Sequence, residues 1–269
     1  KRIIMNEDIL KKIKQLPPLP ESAMQIEAVY QNPDSSFNDM VKILEKDPLL
    51  TADILKSANS PLYGFSREIN AISQAVSLFG MGTVRGFALA SIVKKSFPLD
   101  LSPYGITNDM FSLLSKKQHA LTTSWCIRKE PKLLGVLSPA AFLVEIGKVL
   151  IAQQIIAKNA QLEFKNALLS LQDVEASERT VAGADTPEVS ATIFEHWRFE
   201  PGLIDTIKNC ENPDGAKEEN KKAAQILHVV RTAVQINGTT TDESISAAKE
   251  LINTYNLDME SFERALENF

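Results

Sequence analysis

The chain has 269 residues, of which 44% are hydrophobic and 23% charged, a composition typical of globular proteins and not of disordered or fibrous ones. Its 34 acidic residues outnumber the 29 basic ones and give a net charge of -5. This charge does not favour nonspecific contact with nucleic acid phosphates. The two cysteines, Cys126 and Cys210, offer neither a disulfide framework nor the paired ligands of a structural zinc site. We therefore expect a cytoplasmic protein that binds no nucleic acid.

Membrane association is not expected either. Ala140–Val144 is among the longest uninterrupted apolar stretches, and a membrane helix needs about 20 such residues. The N-terminal segment Lys1–Glu7 has no signal-peptide core. The sequence therefore predicts a chain that neither spans a membrane nor is secreted.

Helix signals run through the first 97 residues. Ser36–Asp39 has the spacing of a capping box, and Asp47–Pro48 ends one helix and opens the next. A turn is predicted at Asn59–Gly64, where Gly64 can take a positive φ. Gly80 is expected to close a further helix and Thr83 to cap its successor. Residues 8–97 are predicted to form an N-terminal helical bundle.

A junction follows at Pro98 and Pro103, which interrupt the helical periodicity. A long helix is expected over Asn108–Lys129. Pro139 is then expected to open the most apolar helix of the chain, Ala140–Ile156. Because this helix is apolar on almost every side, it is predicted to be central.

The last third of the chain is also predicted to be helical. Asp185–Glu188 has the spacing of another capping box, and residues 211–220 are expected to form a solvated loop. Further helices are expected near residues 221–236 and 242–255 and after Asp258. No segment alternates apolar and polar residues as a strand would. The fold class is therefore all-α, with predicted divisions at 8–97, 98–237 and 238–269.

Catalytic motifs are mostly missing from the sequence, including the glycine-rich phosphate loop, Gly-x-Ser-x-Gly and His-Glu-x-x-His. The three histidines, His119, His196 and His228, lack the three- or four-residue spacing of helical metal ligands. Glu145 lies in the most apolar helix, where a buried carboxylate could act as a general acid or base. The favoured interpretation is an i,i+3 ion pair with Lys148.

The N-terminal residues combine into a family pattern. Its parts are Leu16–Pro20, Asp47–Thr51, Leu55–Ser60, Tyr63–Gly64 and Ile69–Ile72, with Ala75 and Gly80. In order and spacing they resemble the HDOD domain, an HD-related output domain of bacterial signalling proteins. The resemblance covers approximately residues 8–235. It implies an all-helical fold in which an N-terminal bundle packs on a part similar to HD-superfamily metal-dependent phosphohydrolases.

The resemblance also indicates where metal ligands would lie. Active HD enzymes use a first His, an adjacent His-Asp pair and a later Asp. His119 matches the first position, but Val144 and Glu145 stand where the His-Asp pair is expected. A valine side chain cannot bind a metal ion, so the ligand set is incomplete at its centre.

Two later positions depart from the pattern as well. Asn209 and Cys210 stand where family members often show His-His, and the later aspartate corresponds to Val230 or Arg231. An arginine there would repel a divalent cation. We therefore expect no bound metal, no cofactor and no catalytic residue.

Two functions remain open from the sequence. The favoured one is a noncatalytic signal-transduction module that binds a protein partner; the alternative is a residual HD-type metal-dependent phosphohydrolase or nucleotide-binding protein. The candidate partner-binding residues are Asn59, Ser60, Tyr63 and Gly64. For these residues a purely structural role is also open, since Asn59 could cap a helix end and Gly64 could only permit the turn.

Overall fold

The structure, a computed structural model, describes residues 5–267. Over this range the chain forms α-helices joined by loops and short 3-10 turns, and no strand is present. This confirms the predicted all-α class. Residues 1–4 and 268–269, which include part of the predicted N-terminal segment and the end of the predicted 238–269 division, lie outside the described range.

The helices follow one another closely along the chain. The first five are α1 Glu7–Lys14, α2 Glu21–Gln31, α3 Phe37–Leu44, α4 Pro48–Ala58 and α5 Ile72–Lys95. The next five are α6 Asn108–Cys126, α7 Leu134–Leu143, α8 Gly147–Ala157, α9 Gln161–Leu171 and α10 Val174–Ala182. The last are α11 Thr186–His196, α12 Pro201–Lys208, α13 Glu218–Ala233, α14 Asp242–Tyr255 and α15 Met259–Leu266.

Several helix starts agree with the local sequence signals. The hydroxyl of Ser36 accepts a hydrogen bond from the Asp39 amide, and the Asp39 carboxylate accepts one from the Ser36 amide, which confirms the capping box. Asp47 caps α4 with Pro48 at its first position, and Asp185 caps α11. Each cap satisfies amides that have no partner within the helix.

The predicted helix starts at Thr83 and Pro139 are wrong. Gly80 does break the helix, with a φ of 79°, but Thr83 lies inside the part that resumes after the break, and its buried hydroxyl has no hydrogen-bond partner in the described part of the chain. Pro139 lies inside α7 instead of opening a helix, and a 3-10 turn at Val144–Ile146 separates α7 from α8. The expected single helix over 140–156 is therefore two helices.

A hydrogen bond from Arg85 explains how Pro139 can lie inside α7. A proline inside a helix leaves the carbonyl four residues earlier without its usual donor, and here that carbonyl belongs to Gly135. The Arg85 guanidinium donates to it at 3.0 Å. The unpaired carbonyl is thus satisfied by a neighbouring helix.

Arg85 also holds the N-terminal helices against the second half of the fold. Its side chain is fully buried and bonds both carboxylate oxygens of Glu27 on α2, at 2.6 and 2.7 Å. It contacts Glu200, just before α12, at 3.1 Å, and lies over the ring of Tyr30. Buried ion pairs of this kind need every charge compensated. The division proposed near residue 98 stays a prediction.

Among the residues that the structure describes, two helical stretches are long and apolar enough to cross a membrane. They are Ile72–Lys95 and Pro131–Ala157, with mean hydropathies of 1.5 and 1.8 in their most apolar windows. In the fold, 61% and 89% of those windows are buried, as in core helices of a soluble domain. Counting only uninterrupted apolar residues missed both stretches because isolated polar residues divide them. Cys126 and Cys210 are both free and buried.

Candidate functional site

His119, which is predicted to match the first HD ligand, is fully buried on α6. Its Nδ1 lies 2.5 Å from the Tyr63 hydroxyl, and its Nε2 lies 2.7 Å from the hydroxyl of Ser138. The imidazole stacks on the Phe142 ring with centroids 3.9 Å apart. Both ring nitrogens that could bind a metal are therefore already engaged.

Burial sets the charge of this histidine. The apolar surroundings disfavour the imidazolium and lower the pKa of His119 to about 3. His119 is therefore neutral across the physiological range, with one nitrogen donating a hydrogen bond and the other accepting one.

This lowered pKa predicts a loss of stability in mild acid. Between about pH 6.5 and pH 3 the unfolded chain binds a proton at His119 that the folded chain does not, so stability falls as the pH decreases. We expect a loss of about 2 kcal/mol between pH 7 and pH 5. The substitution His119→Gln should remove most of it, as measured by denaturant unfolding at both pH values.

Two other histidines complete this test. The pKa of His228 is also lowered by burial, so a smaller slope of the same sign should persist in His119→Gln. The exposed His196 provides the matched control, and His196→Gln should show the full wild-type loss. An equal loss of stability in His119→Gln and wild type would contradict the assignment of the slope to His119.

Glu145 is the centre of a second group of polar side chains. It lies in the 3-10 turn between α7 and α8, where its Oε1 accepts hydrogen bonds from Arg231 at 2.8 Å and Gln118 at 3.0 Å. Its Oε2 lies 3.1 Å from Lys148 Nζ. The i,i+3 pair with Lys148 is therefore confirmed, and Arg231 is an additional partner that the sequence did not indicate for Glu145.

The contacts of Glu145 extend into a buried network. Arg231 also pairs with Glu175 at 2.6 Å and with Glu211, and Lys148 pairs with Glu178 at 3.1 Å. We call the following residues the ion-pair cluster: Glu145, Lys148, Glu175, Glu178, Glu211 and Arg231. The cluster joins the 3-10 turn and α8 to α10, α13 and the loop after α12.

The charges of the ion-pair cluster shift the pKa values of Glu145 and Lys148. Burial disfavours the charged form of Glu145, but the positive charges of Arg231 and Lys148 outweigh it and hold the pKa of that carboxyl below its usual range. Burial likewise opposes the charge of Lys148, yet Glu145 and Glu178 raise its pKa above the usual value. The cluster holds four carboxylates and two cations, and each cation pairs with more than one carboxylate. The geometry is therefore that of a structural ion-pair network.

The remaining predicted HD positions divide between cluster and core. Cys210 lies with its Sγ 3.7 Å from Arg231, and burial raises the pKa of its thiol to about 12. Asn209 instead bonds Asp205. The Val144 side chain is fully buried, as is Val230. Of the two candidates for the later aspartate position, Arg231 is the one that faces the cluster.

This arrangement does not fit a divalent cation. The guanidinium of Arg231 bonds the carboxylate of Glu145, and the nitrogens of His119 contact Tyr63 and Ser138. Within residues 5–267, no three His, Cys, Asp or Glu side chains are grouped so that they could hold a metal ion. A cation bound to Glu145 would have to displace the buried Arg231 guanidinium, which already pairs with that carboxylate.

An open cavity of about 610 Å³ lies beside the ion-pair cluster. Its walls include Glu145, Lys148, Glu175, Glu211 and Arg231. Residues 172–174 and 234–237, together with Leu114 and Thr232, form the rest of the wall. Glu175 and Glu211 are partly exposed there, whereas the side chains of Glu145, Lys148 and Arg231 are almost fully covered.

Hydrogen bonds of the Asn59 side chain hold the turn at residues 59–64 in place. The Asn59 amide donates to the carbonyls of Leu55 and Ile69 and accepts from the Ile69 amide. Gly64 takes a left-handed φ of 66° at its end. These contacts fit structural roles for both residues.

The outer side of the turn carries a feature that the sequence analysis missed. Phe65, directly after Gly64, is 45% exposed, and its ring packs edge-on against Phe79. Ser60 is half-buried and precedes the short 3-10 helix Pro61–Tyr63. The available signal is the polar run Ser66–Glu68 directly after Phe65, since an aromatic residue beside such a run has few places to be buried.

Solved structures of other proteins resemble this chain over almost its whole length. A candidate phosphohydrolase from Shewanella amazonensis SB2B has a similar structure, with a TM-score of 0.68, 24% identity, and coverage of 97% of this chain and 92% of that one. A candidate signal transduction protein from Marinobacter aquaeolei VT8 has a TM-score of 0.69 and 21% identity, with coverage of 99% and 65%. At these identities the likeness shows the fold alone.

Comparison of sequences also identifies the family of this chain. An uncharacterized protein from Treponema pallidum (strain Nichols) is 33% identical over 73 residues, which are 27% of this chain and 14% of the length of that protein. The profile of the HDOD domain matches residues 16–213, well over half of the chain. The chain therefore belongs to the HDOD domain family.

Proposed function

We propose that this HDOD domain is a noncatalytic module of bacterial signal transduction that acts in the cytoplasm by binding a protein partner. The observation that carries the noncatalytic part is the Arg231 guanidinium, which bonds Glu145 where HD enzymes are expected to hold a metal. A fixed positive charge at this point opposes cation binding. The family and the name of the Marinobacter protein support a signalling role.

The alternative is a residual HD-type phosphohydrolase or a nucleotide-binding protein. The name of the Shewanella protein and the cavity beside the ion-pair cluster support it. Hydrolysis by an HD mechanism needs a metal-activated water. Metal binding therefore distinguishes the two functions.

The test uses the full chain and its His119→Ala variant. Each protein is incubated with Mn²⁺, Fe²⁺ or Zn²⁺, desalted, and assayed for metal content and for hydrolysis of bis-p-nitrophenyl phosphate and nucleotides. We expect substoichiometric metal and hydrolysis no faster than in buffer for both proteins. One metal per chain in the wild type, lost together with hydrolysis in His119→Ala, would overturn the noncatalytic function.

The partner-binding surface in this proposal is the turn of residues 59–64 together with Phe65. Tyr63 fixes the turn, since its hydroxyl contacts His119 and its ring packs on Phe79 and Phe87. Gly64 and Phe65 face solvent. A rigid exposed turn loses little conformational entropy on binding, and buried aromatic anchors dominate many interfaces.

Partner binding is tested with a single exposed side chain. Proteins captured by the wild-type chain from source cells are purified and titrated with Phe65→Ser and with the control Leu169→Ser, which changes an apolar residue that is 70% exposed on α9. We expect Phe65→Ser to weaken the complex about thirtyfold, equivalent to about 2 kcal/mol, without unfolding the chain. A partner that binds both variants as tightly as wild type would contradict this surface.

A further inference from the structure

A second cavity, of about 420 Å³, lies between α4, α5, α6 and the segment 142–146. Its wall includes Phe87, Phe111 and Phe142, together with Leu99 and Leu143. Ligand pockets for small molecules commonly have volumes of about 300–1,000 Å³ and mostly apolar walls. The cavity is therefore large enough for a compact metabolite with a ring system.

The rim of this cavity is strongly basic. It carries four lysines, Lys56, Lys94, Lys95 and Lys116, and one acid, Asp53. Lys95 Nζ lies 2.6 Å from an Asp53 oxygen, which also accepts a hydrogen bond from Ser91. The positive charge of Lys95 is therefore compensated within the fold.

The other three lysines are not compensated in this way. Lys56, Lys94 and Lys116 make no ion pair with any residue of the range 5–267. Their charge stands out because the chain as a whole carries a net charge of -5. The rim therefore presents an excess of positive charge next to an apolar wall.

Lys94 and Lys116 lie close enough to affect each other. Both are half-buried, and the pKa of Lys94 is lowered first by burial and then by the positive charge of Lys116. Asp109 acts in the opposite direction without outweighing these effects. An anion bound between two such ammonium groups would relieve their repulsion.

Hydroxyl groups provide neutral donors at the same rim. Ser57 and Ser112 line the cavity, and neither hydroxyl forms a hydrogen bond within the described part of the chain. Ser115, also at the cavity, donates to the Phe111 carbonyl. Lysine ammonium groups and serine hydroxyls together are a donor set that suits an acidic oxygen group.

We propose that this cavity binds a small organic anion with an aromatic body and one phosphate, carboxylate or sulfonate group. The acidic group would lie between Lys94 and Lys116, and the aromatic body against Phe87, Phe111 and Phe142. The phenyl rings favour an aromatic ligand because ring edges and faces attract one another in addition to the apolar area they bury. The site uses none of the residues 59–65 of the proposed partner surface, although Phe87 in its wall packs on Tyr63.

The test compares two dyes of similar shape and different charge. The probes are 1-anilinonaphthalene-8-sulfonate and its uncharged analogue N-phenyl-1-naphthylamine, titrated by fluorescence against the full chain. We expect one sulfonate molecule to bind per chain. The double substitution Lys94→Gln/Lys116→Gln should weaken the sulfonate by about tenfold or more and change the affinity for the uncharged dye less than about twofold.

Two further variants locate the site. The control Lys158→Gln/Lys165→Gln removes two exposed lysines elsewhere and should bind both dyes as wild type does. Ala90→Phe places a ring in the cavity wall and should abolish binding of both dyes, with folding checked by circular dichroism. Unchanged sulfonate affinity in Lys94→Gln/Lys116→Gln, or an equal loss in the control, would overturn the proposal. So would retained dye binding in folded Ala90→Phe.

Discussion

Replacing Arg231 with methionine is expected to lower the free energy of unfolding by about 3–5 kcal/mol. The guanidinium contacts Glu145, Glu175 and Glu211 while its side chain is only 6% exposed. Removing it leaves these carboxylates with too little positive charge in a buried setting. Methionine occupies a similar space, so the loss reports the missing charge more than a cavity. Denaturant unfolding followed by circular dichroism measures it.

A surface arginine provides the control for this variant. Arg264 is 45% exposed and pairs with Glu260 at i,i+4, so Arg264→Met should change stability by no more than about 0.5 kcal/mol. The double variant Glu145→Gln/Arg231→Met should lose less stability than the two single variants lose together. The reason is that removing one partner is destabilising chiefly when the other charge remains buried and unpaired. Wild-type stability of Arg231→Met would show that the ion-pair cluster does not hold the fold together.

Contacts between residues that are close together in the sequence could be predicted. The Ser36–Asp39 capping box forms within one helical turn, and the Glu145–Lys148 pair needs only i,i+3 spacing. Both follow from residues that any helix brings together. From the family resemblance the sequence also predicts that His119 matches the first HD ligand and that Val230 or Arg231 matches the later aspartate, and this correspondence stays a prediction.

The partners of these residues could not be predicted in the same way. Tyr63 and His119 are 56 positions apart, as are Glu175 and Arg231. Such contacts depend on how whole helices pack, and helical periodicity in one segment contains no information about its neighbour. The sequence predicts a partner-binding role for Tyr63, and nothing in it indicates the contact of the Tyr63 hydroxyl with His119.

Pro139 shows why a reliable local rule can fail. Proline is common at the first position of a helix, and the sequence analysis assigned it there. Arg85 compensates for the proline inside α7 by bonding the Gly135 carbonyl. A signal for this contact was present, because Arg85 stands between Val84 and Phe87 in an otherwise apolar stretch, and a charge in such a place needs a buried partner.

Gly147→Ala is expected to lower the free energy of unfolding by about 3 kcal/mol, because α8 and α11 meet at backbone distance. A Cβ at Gly147 would lie 2.5 Å from the Thr186 carbonyl oxygen and 2.9 Å from the Ser190 amide nitrogen. These are backbone atoms, so a side-chain rotation cannot relieve the overlap. The helices would separate, weakening the hydrogen bond from the Gly147 amide to the Ser190 hydroxyl.

The same shift should reach the ion-pair cluster, since Thr186 bonds both Glu178 and Lys148. Gly202→Ala is the matched control, because a Cβ there comes no closer than 3.4 Å to any neighbouring atom and the residue lies in α12. Alanine restricts the unfolded chain and favours the helix, so this control should be as stable as wild type or more stable by up to about 1 kcal/mol. Denaturant unfolding measures the stability of both variants. Equal stability of Gly147→Ala and Gly202→Ala would mean that the backbones of α8 and α11 are not as close at Gly147 as the structure shows.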